Sequence, residues 1–285
     1  MIIPLTHARI GGGIVTMDLD AYLRRIGYDG PREATLRVLA RLHALHPAAI
    51  PFENLDPLLG RPVSLDSDRL QSKLVFGRRG GYCFEQNSLF RWALEALGFS
   101  VTPLLARVVW MAPPERPLGG RNHMLLKVDL GADAYIADVG FGGQLVSAPL
   151  KLTPGLEQAT AEAMMRLDVD GEALIVKTRL PSGWVSLYRF TLERAELSDY
   201  EVSNWYTSTH PTFFLTTNLL AERLSPAVRA SLFNRRLTRR YPDGHAEVID
   251  LTSAGDLTRA LVEDMGISAP GEVAALFARL PTTVP

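Results

Sequence analysis

An α+β fold is predicted, with helices first, strands in the middle and a mixed end. Three observations predict it. Apolar residues recur at helical spacing from Asp18 to about Asn87. From Val101 the apolar runs shorten and are broken by Pro and Gly, as strands are. Past about Tyr200 both patterns occur. That order differs from the strand–helix alternation of a doubly wound sheet. The 285 residues suffice for one large domain or two to three small ones, and 47% hydrophobic residues supply a substantial core.

Residues 1–16 lack the basic-then-apolar build of a signal peptide and contain Gly11-Gly12-Gly13, which resists regular structure. They read as a loosely held extension, or as an over-long start before Met17. Leu36, Leu39, Leu42 and Leu45 mark a helix with Arg37 and Arg41 on another face and Pro47 closing it. His43 and His46 on that helix read as solvated. Cys83 to Leu97 is a second helix, striped by Leu89, Phe90, Ala93, Leu94 and Leu97 and stopped by Gly98. Gly80-Gly81 just before it places Cys83 in its first turn.

Strands are expected at Val101–Trp110, His123–Leu130 and Ala134–Val139. Arg166–Asp168 and Leu174–Thr178 flank Asp170-Gly171 as a hairpin, and Trp184–Thr191 follows. The mixed end reads as a helix at Asn218–Leu224, a strand pair Arg236–Arg240 and Glu247–Leu251 around Asp243-Gly244, and a last helix Glu272–Leu280. Boundaries fall near 100 and 200, dividing the chain into 1–16, 17–99, 100–200 and 201–285.

Composition narrows the partners. A formal net charge of −1 gives no overall field for nucleic acid or an anionic membrane. No stretch approaches the run of about 20 apolar residues that spans a bilayer. One cysteine excludes an intrachain disulfide and suits a reducing cytoplasm. No metal is expected.

The one thiol, Cys83, is the first candidate for chemistry. A free cysteine is often a small buried hydrophobe. At a helix N-terminus, however, unpaired N–H groups and the dipole favour a thiolate. A nucleophilic thiol needs a base, and the base an orienting acceptor. His123 opens one strand-like run and Asp138 ends the next, so adjacent antiparallel strands would set them side by side. Taken alone, His123 reads as a structural histidine and Asp138 as a helix or turn cap.

The surrounding residues carry a resemblance. Arg79-Gly80-Gly81-Tyr82-Cys83-Phe84-Glu85-Gln86-Asn87 is similar to the active-site segment of the arylamine N-acetyltransferases. His123-Met124-Leu125-Leu126-Lys127-Val128 and Asp138-Val139-Gly140-Phe141-Gly142 resemble the family's next two motifs, in the same order. Pro51-Phe52-Glu53-Asn54-Leu55 resembles its upstream motif, and Asn204-Trp205-Tyr206-Thr207-Ser208-Thr209-His210-Pro211 a later one.

The resemblance implies a helical bundle, a central antiparallel β-barrel and an α/β lid around a cysteine-protease-like core. It implies that acetyl-CoA acetylates Cys83, with His123 as base and Asp138 orienting it. A small aromatic amine, hydrazine or N-hydroxyarylamine then attacks the thioester in a ping-pong course. Phe52 and Phe141 match acceptor-lining positions, whose alternative is ordinary core. Gly119, Gly120, Gly142 and Gly143 would line the CoA entrance by analogy, the alternative being turn glycines. Arg79 and Glu85 hold the helix entry. In one departure, Thr212 is followed by Phe213 and Phe214 where the family often has small hydroxyl residues facing CoA. Arg235, Arg236, Arg239 and Arg240 suit a solvated strand face, or CoA phosphates.

Two other readings stay open on the residues alone. A Cys-His-Asp hydrolase or transglutaminase-like enzyme would use the same three side chains. A catalytically silent small-molecule binder would need none of them, so the intact set argues against it.

Overall fold

The computed structural model describes residues 6–10, 13–113, 115, 117–144 and 146–282. β1 (Thr6–Ile10) and β2 (Gly13–Met17) pair antiparallel. The extension expected over residues 1–16 therefore lies partly outside the described residues, at 1–5, 11 and 12.

The helical part starts with α1 (Leu19–Ile26), whose N-cap Asp18 accepts from the Ala21 N–H at 2.8 Å. α2 (Leu36–Ala49) is capped by Thr35 and continues past Pro47, where the sequence suggested an end. The ring at Pro47 forfeits one N–H but is buried, and the Ile50 N–H still reaches the His46 carbonyl at 2.7 Å. His43 and His46, expected to be solvated, are fully buried. The buried face of α2 is wider than its leucine spacing suggests, and both imidazoles find polar partners inside. The Tyr22 hydroxyl meets His46 Nδ1 at 2.9 Å, and His46 Nε2 meets Gln86 Oε1 at 2.7 Å. Next come β3 (Phe52–Glu53), α3 (Leu55–Leu58) and α4 (Ser67–Leu70), which runs into a π-helical turn over Gln71–Phe76. α5 (Cys83–Ala96) fills the centre, and Gly98 beyond it takes φ +85°, a stop that glycine adopts freely.

The middle of the chain is one eight-stranded antiparallel sheet. Its strands are β4 (Ser100–Val108), β5 (His123–Leu130), β6 (Asp133–Ala137), β7 (Leu150–Lys151), β8 (Gln158–Ala159), β9 (Met164–Asp170), β10 (Ala173–Leu180) and β11 (Gly183–Phe190). The spatial order β7-β6-β5-β4-β11-β10-β9-β8 rolls into a nearly closed barrel. Gln158 bridges the two ends by accepting from the Lys151 N–H at 2.7 Å and donating to the Lys151 carbonyl at 3.0 Å. Leu104, Leu125, Ile136, Leu167, Val176 and Leu187 pack inside it.

The last part opens with α6 (Leu197–Thr209), a helix the sequence pattern did not reveal, and α7 (Phe214–Thr217). A five-stranded antiparallel sheet follows, from β12 (Leu220–Leu224), β13 (Arg229–Phe233), β14 (Arg236–Arg240) and β15 (Ala246–Asp250). Its fifth strand, beside β12, is β3 from the helical part. The helix expected at Asn218–Leu224 is thus a strand. Leu-Leu-Ala-Glu-Arg-Leu fits either period, and ladder bonds to β13 and β3 on its two sides decide it. α8 (Ala254–Arg259), its π-helical continuation Ala260–Asp264 and α9 (Val273–Arg279) cover this sheet through Leu257, Leu261 and Leu276.

Candidate active site

Cys83 is the first residue of α5, and the backbone before it is tightly constrained. A Cβ on Gly80 would sit 2.1 Å from the Pro51 carbonyl oxygen, so only glycine fits. Glu85, three residues past the Tyr82 N-cap, accepts from the Tyr82 N–H at 3.1 Å and meets Lys73 Nζ at 2.7 Å. Lys73 also pairs with Asp56, and Arg79 pairs with Glu53 at 2.7 Å and Asp56 at 3.2 Å. As expected from sequence, Arg79 and Glu85 brace the helix entry. The later motif has a comparable part. Asn204 of α6 receives the Tyr82 hydroxyl and donates to the Val63 carbonyl at 2.9 Å, tying α6 to the start of α5.

His123 begins β5 and Asp138 follows β6, its antiparallel neighbour, one step beyond the Leu126–Ala137 pair, so Asp138 falls diagonally across from His123. His123 Nε2 lies 2.7 Å from Asp138 Oδ2. With Nε2 committed, Nδ1 is the nitrogen left for sulfur, and the Cys83 side chain lies close enough to bear on the ring's charge. Cys83 Sγ also lies 3.8 Å from the Asn122 carbonyl. The three sequence-predicted residues therefore form one row, exposed by only 5%, 2% and 0% for Cys83, His123 and Asp138.

Electrostatics follow from that burial. Desolvation opposes the imidazolium, but the Asp138 charge and hydrogen bond, with those of Cys83, outweigh it and raise His123 to about 10. Burial likewise opposes the Asp138 carboxylate, and His123 overcomes it, holding Asp138 below its ordinary value. A cation beside sulfur and a carboxylate behind it can stabilise a thiolate and pass a proton along one line.

Several supporting residues escaped sequence reasoning. Asn87, one turn along α5 from Cys83, donates to Asp138 Oδ1 at 2.9 Å and to the Met124 carbonyl at 2.7 Å. Its own oxygen accepts from the Val139 N–H at 3.1 Å. His43 Nε2 accepts from the Asp138 N–H at 3.1 Å, which requires a neutral ring; burial lowers His43 to about 4. The Tyr188 ring stands 4.8 Å from His123, and its hydroxyl is buried beside Asp138. The only signal for Asn87 was its place in the cysteine motif. His43 and Tyr188 had none.

Phe141 meets His123 edge-on at 5.1 Å, and the Phe52 ring packs on Gly142, where a Cβ would come within 2.6 Å of it. Both aromatic residues are thus at the row's edge. Gly142 and Gly143 continue the Asp138 segment. Gly119 and Gly120 lie on the exposed β4–β5 connection, where the Gly119 carbonyl accepts from Arg107. Phe214 stacks on Phe233 at 5.8 Å. Of the basic pairs, Arg236 is bound to Asp250 and Arg239 to Asp264, while Arg235 lies over the Phe277 ring. Among the described residues no group of three or more His, Cys, Asp and Glu side chains is arranged to hold a metal, and no helix is long and apolar enough to cross a membrane.

A family model described as N-acetyltransferase matches residues 35–273. The arylamine N-acetyltransferase of Mycolicibacterium smegmatis is 42% identical over 256 residues, 89% of this chain and 93% of that protein. The solved arylamine N-acetyltransferase of M. tuberculosis aligns with a TM-score of 0.87 at 39% identity, over 91% of this chain and 99% of that one. The Mycobacterium marinum arylamine N-acetyltransferase, solved in complex with CoA, aligns with a TM-score of 0.87 at 39% identity, over 91% and 98% of the two chains. Fold and matches place the chain among the acyltransferases. It belongs to the arylamine N-acetyltransferase family.

Proposed function

We propose that the chain moves acetyl from acetyl-CoA to aromatic amines, hydrazines or N-hydroxyarylamines through a thioester on Cys83. The observation that carries this reading is the buried Cys83–His123–Asp138 row, with its 2.7 Å imidazole–carboxylate bond. CoA as carrier is supported by the M. marinum relative.

The Cys83 thiolate attacks the acetyl carbonyl, and the departing CoA sulfur takes the proton from His123. The amine nitrogen then attacks the thioester and gives its proton back to His123 as the Cys83 thiolate leaves. Asp138 keeps the imidazole in the tautomer and orientation that serve both halves. Phe52 and Phe141 flank the acceptor, whose flat ring suits offset or edge contacts. Gly119, Gly120, Gly142 and Gly143 line the CoA approach. The Gly143 N–H and carbonyl already bind Glu222 and Arg229, so its contact with CoA is one of shape. The lone thiol suits a reducing compartment.

Intact-protein mass after brief exposure to acetyl-CoA tests the reading. A one-acetyl gain is expected on the native chain, absent in Cys83→Ala and discharged by an aryl hydrazine. Peptide cleavage independent of CoA, with no mass gain, would refute it.

A further inference from the structure

Two separate anchors hold the ends of the segment that follows Asp138. Its first residues are held from the helical side, where Asn87 and His43 bind Asp138 and Val139. Gly143, at its far end, is gripped from the lid. The fully buried Glu222 on β12 accepts the Gly143 N–H at 2.6 Å, and Arg229 on β13 donates to the Gly143 carbonyl at 3.0 Å. These two side chains are themselves an ion pair at 2.6 Å, steadied by Ser231 at 3.3 Å from Glu222. Glu162, in the barrel's β8–β9 turn, lies 3.7 Å from Arg229. One ion pair thus satisfies both backbone groups of a glycine at φ +93°, which has no side chain of its own to fix it.

Glu222 also bears on the opposite wall. Its backbone is the ladder partner of Phe52, whose ring rests on Gly142. The same residue therefore carries Phe52 by its main chain and the Phe141–Gly143 segment by its carboxylate. We infer that the Glu222–Arg229 pair is a positioning device that sets the spacing of Phe52 and Phe141, and so decides which aromatic acceptors fit. This rests on the proposed thioester chemistry. Because the triad is anchored elsewhere, the pair bears mainly on the acceptor half-reaction, and thioester formation feels only the smaller effect of Gly143's place at the CoA approach.

The test is the double variant Glu222→Leu/Arg229→Met. Removing one partner would strand a buried charge, whereas apolar replacement of both is usually tolerated. Should the double variant not fold, Arg229→Lys, which keeps a cation beside Glu222 but gives up the fork that also reaches the Gly143 carbonyl, carries the same test. Cys83 acetylation by acetyl-CoA is followed by mass, and discharge by a small and a bulky aryl hydrazine is timed on the charged enzyme. Thioester formation is expected to change by less than about threefold. Discharge by the small acceptor should fall about tenfold, with the small-to-bulky preference shifted towards the bulky one. A parallel fall of both half-reactions, or an unchanged acceptor order, overturns the inference while leaving the function standing. No thioester on the wild-type chain would overturn the function and this inference together.

Discussion

The His123–Asp138 contact has consequences that can be measured at a single residue. Asp138→Asn leaves the packing of the row in place but offers the wrong group to the ring, and should lower kcat/KM by roughly 10³-fold or more. Transfer assays with Asp138→Asn and wild type check this. Because the folded chain raises His123 from 6.5 to about 10, its stabilising contribution is whole below pH 6.5 and disappears as pH climbs through 10. The stability gap between wild type and His123→Gln should therefore narrow between pH 7 and 10 in urea titrations. Cys83, His123 and Asp138 were legible because each stands in a local motif. His43 was not: it lies 95 positions from Asp138, and nothing in its own neighbourhood announces a hydrogen bond to that distant N–H.

Among elements, α5 shows how a helix start becomes a functional feature. Gly80→Ala would drive a Cβ against the Pro51 carbonyl, a backbone atom that cannot rotate away. A loss of about 1–3 kcal/mol of stability is expected, as for other overpacked sites. Urea unfolding gives the first number, and a drop in Cys83 acetylation rate should accompany it as the helix entry shifts. Elements with an unambiguous period, such as α5, β5 and the Arg236–Arg240 strand, were legible from sequence. β12 was not, since its identity depends on β3, a two-residue strand far up the chain. α6 escaped because its apolar residues do not gather on one buried face, with Leu197, Val202 and Trp205 all exposed.

For the molecule as a whole, the order helices, barrel and lid could be read from changes in apolar period, but the ties between these parts could not. Ties such as Glu222 to Gly143 depend on three-dimensional neighbours. The histidines inside the helical part affect the acid stability of the entire fold. Burial, against the help of the Gln86 bond, lowers His46 to about 3. On acidification below its ordinary 6.5 the unfolded chain takes up a proton that the folded chain refuses. Wild type should therefore lose stability relative to His46→Gln by about 1.4 kcal/mol per pH unit between pH 6 and 4. Denaturant midpoints across that range provide the measurement.

Asn54 accepts the Leu220 N–H across 166 positions, and β3 joins a sheet whose other strands all come from the last quarter of the chain. On the ribosome, at roughly 5–20 residues per second, Phe52 emerges about 8–34 s before the strand it pairs with. During that interval Phe52 and the Gly143 end of the Asp138 segment, which flank the thiol's surroundings, lack the strand that holds them. Chains stalled short of residue 220 should thus be alkylated by iodoacetamide faster than released ones.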